Sequence, residues 1–212
     1  HGRFQEFYQC DADIVGDRSL WQEVEVLALY DKAFSDLKIE GVSLKVNHRK
    51  ILAGIAGKLG AEERLIDFTI ALDKLDKIGK EGVFEELKSK GFNAGALQLL
   101  EELLSLQGTA SEQLDVLKSI LADQPEGIKG IEELEFIFNQ FNDNALHSVQ
   151  LNFDLTLARG LHYYTGMIVE VSAPANIKMG SIGGGGRYDD LTATFGLNNM
   201  SGIGISFGFE RI

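Results

Sequence analysis

Residues 157–166 put one guanidinium, one imidazole, two phenols and two glycines side by side: Arg159, His162, Tyr163 and Tyr164, with Gly160 and Gly166. A guanidinium presents its donors as a planar fork, which suits a phosphate or a carboxylate. A second row recurs at every other position near the start of the chain. Phe7, Gln9, Asp11 and Asp13 supply an aromatic ring, an amide and two carboxylates. On a strand rising about 3.3 Å per residue, Gln9 and Asp13 stand roughly 13 Å apart on one face, a row able to line a polar pocket. A third stretch is the glycine run 183–186, followed at once by Arg187, Tyr188 and Asp189. Such a run cannot fill a core and lets a backbone or a ligand approach closely. The fourth, residues 202–211, alternates small with large apolar residues and ends in Arg211. A smooth face ending in a guanidinium suits a nucleotide, base on the flat side and phosphate at the cation. Spacing alone leaves blander readings open: a surface arginine with two core tyrosines, a solvent-facing strand surface, a flexible linker. No Gly-x-Gly-x-x-Gly opens a helix and no Gly-Lys-Ser/Thr occurs, so neither the dinucleotide fingerprint nor the P-loop is present.

The elements that must hold these groups follow from hydrophobic period. Residues 149–157 alternate strictly, with Val149, Leu151, Phe153, Leu155 and Leu157 on one side, and predict a half-buried strand. Residues 167–171, rich in β-branched side chains, predict another, so that 157–166 forms a turn between two strands. Residues 4–15 predict a strand with Phe4, Tyr8, Cys10, Ala12 and Ile14 facing the core. Ser19 with Gln22 three positions on has the form of a capping box and predicts a helix of about 18 residues. A short strand at 42–46, a turn at Asn47 and His48 and a helix over 49–59 follow. From residue 61 the period-2 signal disappears. Helical windows are predicted at 62–78, 82–89, 94–106, 111–122 and 131–141, punctuated by Gly79, Gly91, Gly108, Gly127 and Gly130.

The chain has 212 residues, enough for one large or two small domains. Its 20 basic and 32 acidic side chains leave a net charge of −12, which argues against non-specific nucleic-acid binding and against an anionic membrane surface. Residues 61–150 hold 18 acidic and 8 basic side chains, so nearly all the imbalance sits in the helical block. The single cysteine, Cys10, makes no internal disulfide. No apolar run approaches the ~20 residues of a membrane span. These properties predict a soluble cytoplasmic protein. The sequence starts and stops within elements, which predicts an excerpt from a longer chain.

Four segments carry a family resemblance. Residues 2–13 resemble the second half of class II motif 2, residues 157–166 the histidine-specific signature, residues 180–191 the glycine-rich wall strand and residues 204–211 motif 3. The chain thus resembles histidyl-tRNA synthetase, a class II aminoacyl-tRNA synthetase, over nearly its whole length. The resemblance implies an α+β fold: an antiparallel sheet flanked by helices, with an inserted all-helical domain. It implies a catalytic domain at 1–60 and 147–212 and an insertion at 61–146. The reaction implied is histidine activation by ATP, with Mg2+, and transfer to tRNA(His). Carried over by position, Gln9 meets the amino group of L-histidine and Asp13 its imidazole. Tyr163, Tyr164 and Gly184 line the histidine pocket. Arg3 sits at the ATP end, Phe7 stacks on adenine, and Arg211 holds the γ-phosphate. Arg159 is the catalytic residue, bridging the histidine carboxylate and the α-phosphate. No metal ligand is assigned to the protein. The full protein is expected to be a homodimer without membrane contact, and this piece alone to be inactive. His162 stands where the signature usually has Asp, and Ser206 where motif 3 usually has Gly. A non-catalytic paralogue, such as a regulatory subunit of ATP phosphoribosyltransferase, is the alternative.

Overall fold

A six-stranded sheet organises the chain, in a computed structural model that describes residues 6–142, 146–158 and 163–212. Its strands are β1 (Cys10–Val15), β2 (Val42–His48), β3 (Val149–Phe153), β4 (Met167–Ser172), β5 (Ser181–Arg187) and β6 (Gly202–Phe207). Their order is β1-β6-β5-β4-β2-β3, antiparallel throughout except for the parallel pair β2–β3. Seven α-helices complete the described residues: α1 (Trp21–Asp36), α2 (Arg49–Lys58), α3 (Leu65–Leu72), α4 (Leu75–Ser89), α5 (Ala94–Leu104), α6 (Ala110–Ile120) and α7 (Pro125–Gln140). The α+β class with a mainly antiparallel sheet is therefore as expected. The strands β3 and β4, which flank residues 157–166 in the chain, are not neighbours in the sheet, because β2 lies between them and pairs with both.

Several boundaries move for physical reasons. The strand expected over 4–15 is β1 from Cys10 among the described residues, where its partner β6 ends at Phe207 opposite Cys10, while residues 4 and 5 lie outside the described residues. Tyr8, expected in the core, is exposed and packs edge-on against Phe209. The capping box at Ser19 does not form. Leu20 is the N-cap residue without a side-chain cap, and Asp17 binds both the Ser19 N–H (2.8 Å) and the Gln22 amide (2.8 Å). The real box lies at Thr109 and Glu112, ahead of α6. Asn47 and His48 belong to β2, not to a turn. The helix expected over 62–78 is a 3-10 turn at Glu62–Arg64 followed by α3 and, after a break at 73–74, by α4. At Gly79 (φ 69°, ψ 173°) the backbone leaves helical geometry, so α4 is two helical pieces joined across a kink at the expected break.

α1 lies beneath the sheet. Leu27, Tyr30 and Phe34 are fully buried, and the Tyr30 hydroxyl donates to the carbonyls of Ser206 (2.9 Å) and Gly184 (3.2 Å). One oxygen of buried Asp31 accepts from the backbone N–H groups of His147, Ser148 and Val149, which fixes the start of β3. Gly127 and Gly130, expected as breaks, lie inside α7 because there they serve packing. A Cβ on Gly54 of α2 would fall 2.6 Å from Gly127 Cα, and one on Gly130 would fall 2.9 Å from Ile51 N. The two helices cross backbone to backbone.

The same crossing carries a polar triad built on buried His48. His48 caps α2, its Nδ1 accepting from Lys50 N (3.2 Å), while its Nε2 meets Glu133 Oε2 of α7 at 2.8 Å. Lys50 Nζ reaches Glu133 Oε1 at 2.5 Å. Burial holds His48 below its ordinary value, so the neutral ring donates to Glu133. Burial works against the Glu133 carboxylate, but His48 and Lys50 outweigh it and hold its pKa at about 2. Both folded values lie below the unfolded ones. Their stabilisation is complete above the unfolded values and is lost as pH falls, first through the His48 range and then from 4.5 toward about 2 for Glu133. Glu133→Gln should cost about 1–3 kcal/mol near neutral pH. It should also flatten the pH dependence of urea unfolding below about pH 4.5. An unchanged acid limb would refute the assignment.

Candidate functional site

A cavity of about 440 Å³ opens on the sheet face opposite α1. Gln9, Asp11, Asp13 and Val15 line one side, every second residue of one strand face. Ala12 and Ile14 point the other way, against the core. Gly184 of β5 and Gly204, Ile205 and Ser206 of β6 form the floor. Tyr163, Tyr164 and Tyr188 supply aromatic walls, and Leu191, Thr192 and Phe195, in and around the 3-10 turn Leu191–Phe195, rim the opening.

The chemistry is acidic and phenolic. Gln9 Nε2 donates to Asp11 Oδ1 (2.7 Å), which leaves the Gln9 carbonyl oxygen as an acceptor. The Tyr188 hydroxyl donates to Asp13 Oδ1 (2.5 Å). Tyr163 meets the Tyr164 ring at 4.6 Å between centroids and the Tyr188 ring edge-on at 6.4 Å. Burial raises the Tyr164 and Tyr188 phenols above their ordinary range, reinforced by the Tyr163 hydroxyl beside Tyr164 and the Asp13 carboxylate beside Tyr188. Both stay protonated at neutral pH and act as donors. Two carboxylates line the cavity, with no Lys or Arg among the described lining residues. This surface suits a small ligand bearing cationic or N–H donor groups.

Glycine gives the floor its shape. A Cβ on Gly186 would fall 2.5 Å from Met167 O and 3.1 Å from the Tyr164 ring, and one on Gly185 2.7 Å from Ile205 Cα. The run is strand packed against strand, the close backbone approach expected of it and not a flexible linker, and Gly184 alone of the four lines the cavity. On β6, a Cβ at Gly202 would meet Tyr188 Cζ at 2.7 Å, and one at Gly204 would meet Asp13 Cγ at 2.8 Å. The flat partner of these two glycines is the Tyr188 ring with the Asp13 carboxylate.

Behind the cavity, Arg187 ties four segments together. It is 5% exposed and uses all five donors. Nε and Nη2 hold the two oxygens of Glu23 in α1, Nη2 also donates to Ser19 O (3.1 Å), and Nη1 donates to Asp17 O (3.1 Å) and Ser201 Oγ (2.5 Å). Burial pushes the Glu23 carboxyl upward, opposed by its two hydrogen bonds from Arg187, and the pairing keeps Arg187 charged. Ser201 Oγ donates onward to Asp189 Oδ1 (2.5 Å), whose other oxygen accepts from Thr165 Oγ1 (2.9 Å). Thr165 N donates to Arg187 O (2.8 Å). The framework therefore sets where Tyr163 and Tyr164 stand.

A family model described as histidyl-tRNA synthetase matches residues 1–212. The chain belongs to the histidyl-tRNA synthetase family. It is 58% identical over 211 residues to the histidine--tRNA ligase of Christiangramia forsetii and 57% identical to that of Flavobacterium johnsoniae, covering 100% of this chain but 46% and 44% of theirs. It thus spans about half the length of the curated relatives it matches. The crystal structure of histidyl-tRNA synthetase from Nostoc sp. PCC 7120 superposes with a TM-score of 0.90 at 31% identity, over 99% of this chain and 50% of that one. An ATP phosphoribosyltransferase regulatory subunit/histidyl-tRNA synthetase from Bacillus halodurans C matches with a TM-score of 0.83 at 23% identity, covering 100% of this chain and 54% of its own, a likeness of fold alone.

Of the residues that resemblance to the synthetases singles out, the structure gathers Gln9, Asp13, Tyr163, Tyr164 and Gly184 around one cavity. Phe7 is exposed and stands outside the lining. Arg211 sits in a 3-10 turn, Phe209–Arg211, where it donates to Ser181 O (2.6 Å), also outside the lining. Arg3, Arg159 and His162 lie outside the described residues. Glu23, Arg187 and Tyr188 were not foreseen as site residues. The one local signal was the position of Arg187 and Tyr188 directly after the glycine run.

Proposed function

We propose that the protein carrying this chain is a histidine–tRNA ligase, which activates L-histidine with ATP and transfers it to tRNA(His). The observation that supports this best is the grouping of Gln9, Asp13, Tyr163, Tyr164 and Gly184 around one acidic, phenol-walled cavity of amino-acid size. A histidine ligand brings an ammonium group for the Gln9 carbonyl and Asp11. It also brings an imidazole, whose donor nitrogen suits Asp13 and whose acceptor nitrogen suits a phenol of the tyrosine pair.

In the first step a histidine carboxylate oxygen attacks the α-phosphorus of ATP, the bond from that phosphorus to the bridging oxygen breaks, and pyrophosphate leaves. In the second, the terminal ribose hydroxyl of the tRNA attacks the adenylate carbonyl, AMP leaves with the bonding pair and the hydroxyl proton is released. Such chemistry depends on positioning and on charge placed where the phosphoryl oxygens gain it. In this reading Arg159 bridges carboxylate and α-phosphate, and Arg3, Phe7 and Arg211 form the ATP side. Mg2+ arrives with the nucleotide phosphates. Among the described residues no group of three His, Cys, Asp or Glu side chains is arranged to hold a metal, and no step here passes through one. The division into catalytic parts at 1–60 and 147–212 around an insertion at 61–146, a homodimer and a cytoplasmic location belong to the same proposal. Among the described residues no helix is long and apolar enough to cross a membrane.

The test is histidine-dependent exchange of pyrophosphate into ATP by the intact protein. Asp13→Ala should raise the histidine KM by roughly 10- to 100-fold, as expected for a lost hydrogen bond to a charged group. The ATP KM should change far less. Equal changes in both, or exchange with no preference for histidine, would count against the reading.

A further inference from the structure

The hydroxyl of Tyr188 does something the chemistry of the cavity walls does not require. It points along the wall to Asp13, not into open space, and it lies 2.5 Å from Asp13 Oδ1. The two residues come from elements 175 positions apart, and the contact is seated in glycine on both sides. Gly202 leaves room for the Tyr188 ring and Gly204 for the Asp13 carboxylate, since a Cβ at either would collide. Tyr163 closes the ring's other side edge-on. Tyr188 N donates to Gly202 O (2.7 Å), which holds its backbone on the same strand. Asp13 itself is exposed on its strand face. Without a partner its carboxylate would rotate freely, and a ligand would have to freeze it on binding.

We propose that Tyr188 is a positioning residue for amino-acid selection: by holding Asp13 Oδ1, it presents Oδ2 to the cavity as a fixed acceptor for the N–H of the imidazole. This rests on the reading of Asp13 as the imidazole partner given above. The phenol occupies one oxygen and aims the other, so the cavity meets the ring nitrogen with a single oriented acceptor. A side chain of similar size without an N–H at that point leaves a desolvated carboxylate oxygen unpaired, and this favours rejection of apolar isosteres.

The experiment is pyrophosphate exchange on the intact protein with wild type, Tyr188→Phe, Asp13→Asn and the double variant. Tyr188→Phe keeps the ring, its glycine seat and the Tyr163 contact, and removes only the hydroxyl. It should raise the histidine KM roughly 10-fold with the ATP KM and the thermal midpoint unchanged. In the Asp13→Asn background the same change should have little further effect, because the phenol acts through that carboxylate. Gly202→Ala, which displaces the ring, should reproduce the Tyr188→Phe phenotype. A Tyr188→Phe protein with wild-type histidine KM overturns the role, and so do equal effects on histidine and ATP, or effects that add fully to Asp13→Asn. A wild type without histidine-dependent exchange instead overturns the parent reading, before any variant is compared.

Discussion

Glu23→Ala is expected to destabilise the protein by about 3–5 kcal/mol, because it strands a buried guanidinium without its carboxylate. Glu23 and Arg187 are 1% and 5% exposed, so their charges are taken out of bulk solvent. The remaining Arg187 hydrogen bonds, to Asp17 O, Ser19 O and Ser201 Oγ, go to neutral acceptors, and the other carboxylate near it, partly exposed Asp189, stands 3.8 Å from Nη1, too far to replace the two oxygens of Glu23. Removing both partners should cost less than the sum of the single changes, since the double variant leaves no orphaned ion. Urea unfolding of Glu23→Ala, Arg187→Leu and the double variant measures this directly, and a loss under about 1 kcal/mol for Glu23→Ala would mean that the pair carries no net burden of burial. The effect should also reach the site. Thr165, one residue after the tyrosine pair, is held by Arg187 O and by Asp189, so loosening Arg187 should weaken histidine binding even where the protein stays folded.

Arg159→Ala is expected to lower the rate of histidine activation by roughly 10²–10³-fold, the range found when one oriented donor to a developing charge is removed. Arg159 itself lies outside the described residues. Of the described residues on either side, Leu157 and Ala158 are buried against the core, and Tyr163 lines the cavity. Arg159→Lys should recover little, because an ammonium is a point charge and does not span two oxygens as the planar fork does. Single-turnover adenylate formation on the intact protein separates this from a binding defect. A rate within a few-fold of wild type for Arg159→Ala would remove it from the reaction.

Much of the local structure was legible because it depends on local period. Val149, Phe153, Leu155 and Leu157 are buried as their alternation requires, even though β3 ends at Phe153 and Asp154 turns the chain by binding Thr156 N (2.9 Å). The face carrying Gln9, Asp11 and Asp13 faces the cavity for the same reason: successive side chains of a strand point to opposite sides. Helix ends were read less well. Glycine is both a breaker and the smallest packing surface, and nothing in residues 125–140 says that Gly127 lies against Gly54.

What the sequence by itself determined was therefore the class of fold, the faces of its strands and, through its motifs, the family and the residues expected to bind histidine. Only the tertiary structure decided what those residues stand on. Glu23 meets Arg187 across 164 positions and Tyr188 meets Asp13 across 175. The strand order that brings them together puts β6 between β1 and β5. Such pairings have no local period to betray them, since they arise when non-adjacent segments are forced to share one buried volume and each buried charge or hydroxyl must find its partner there.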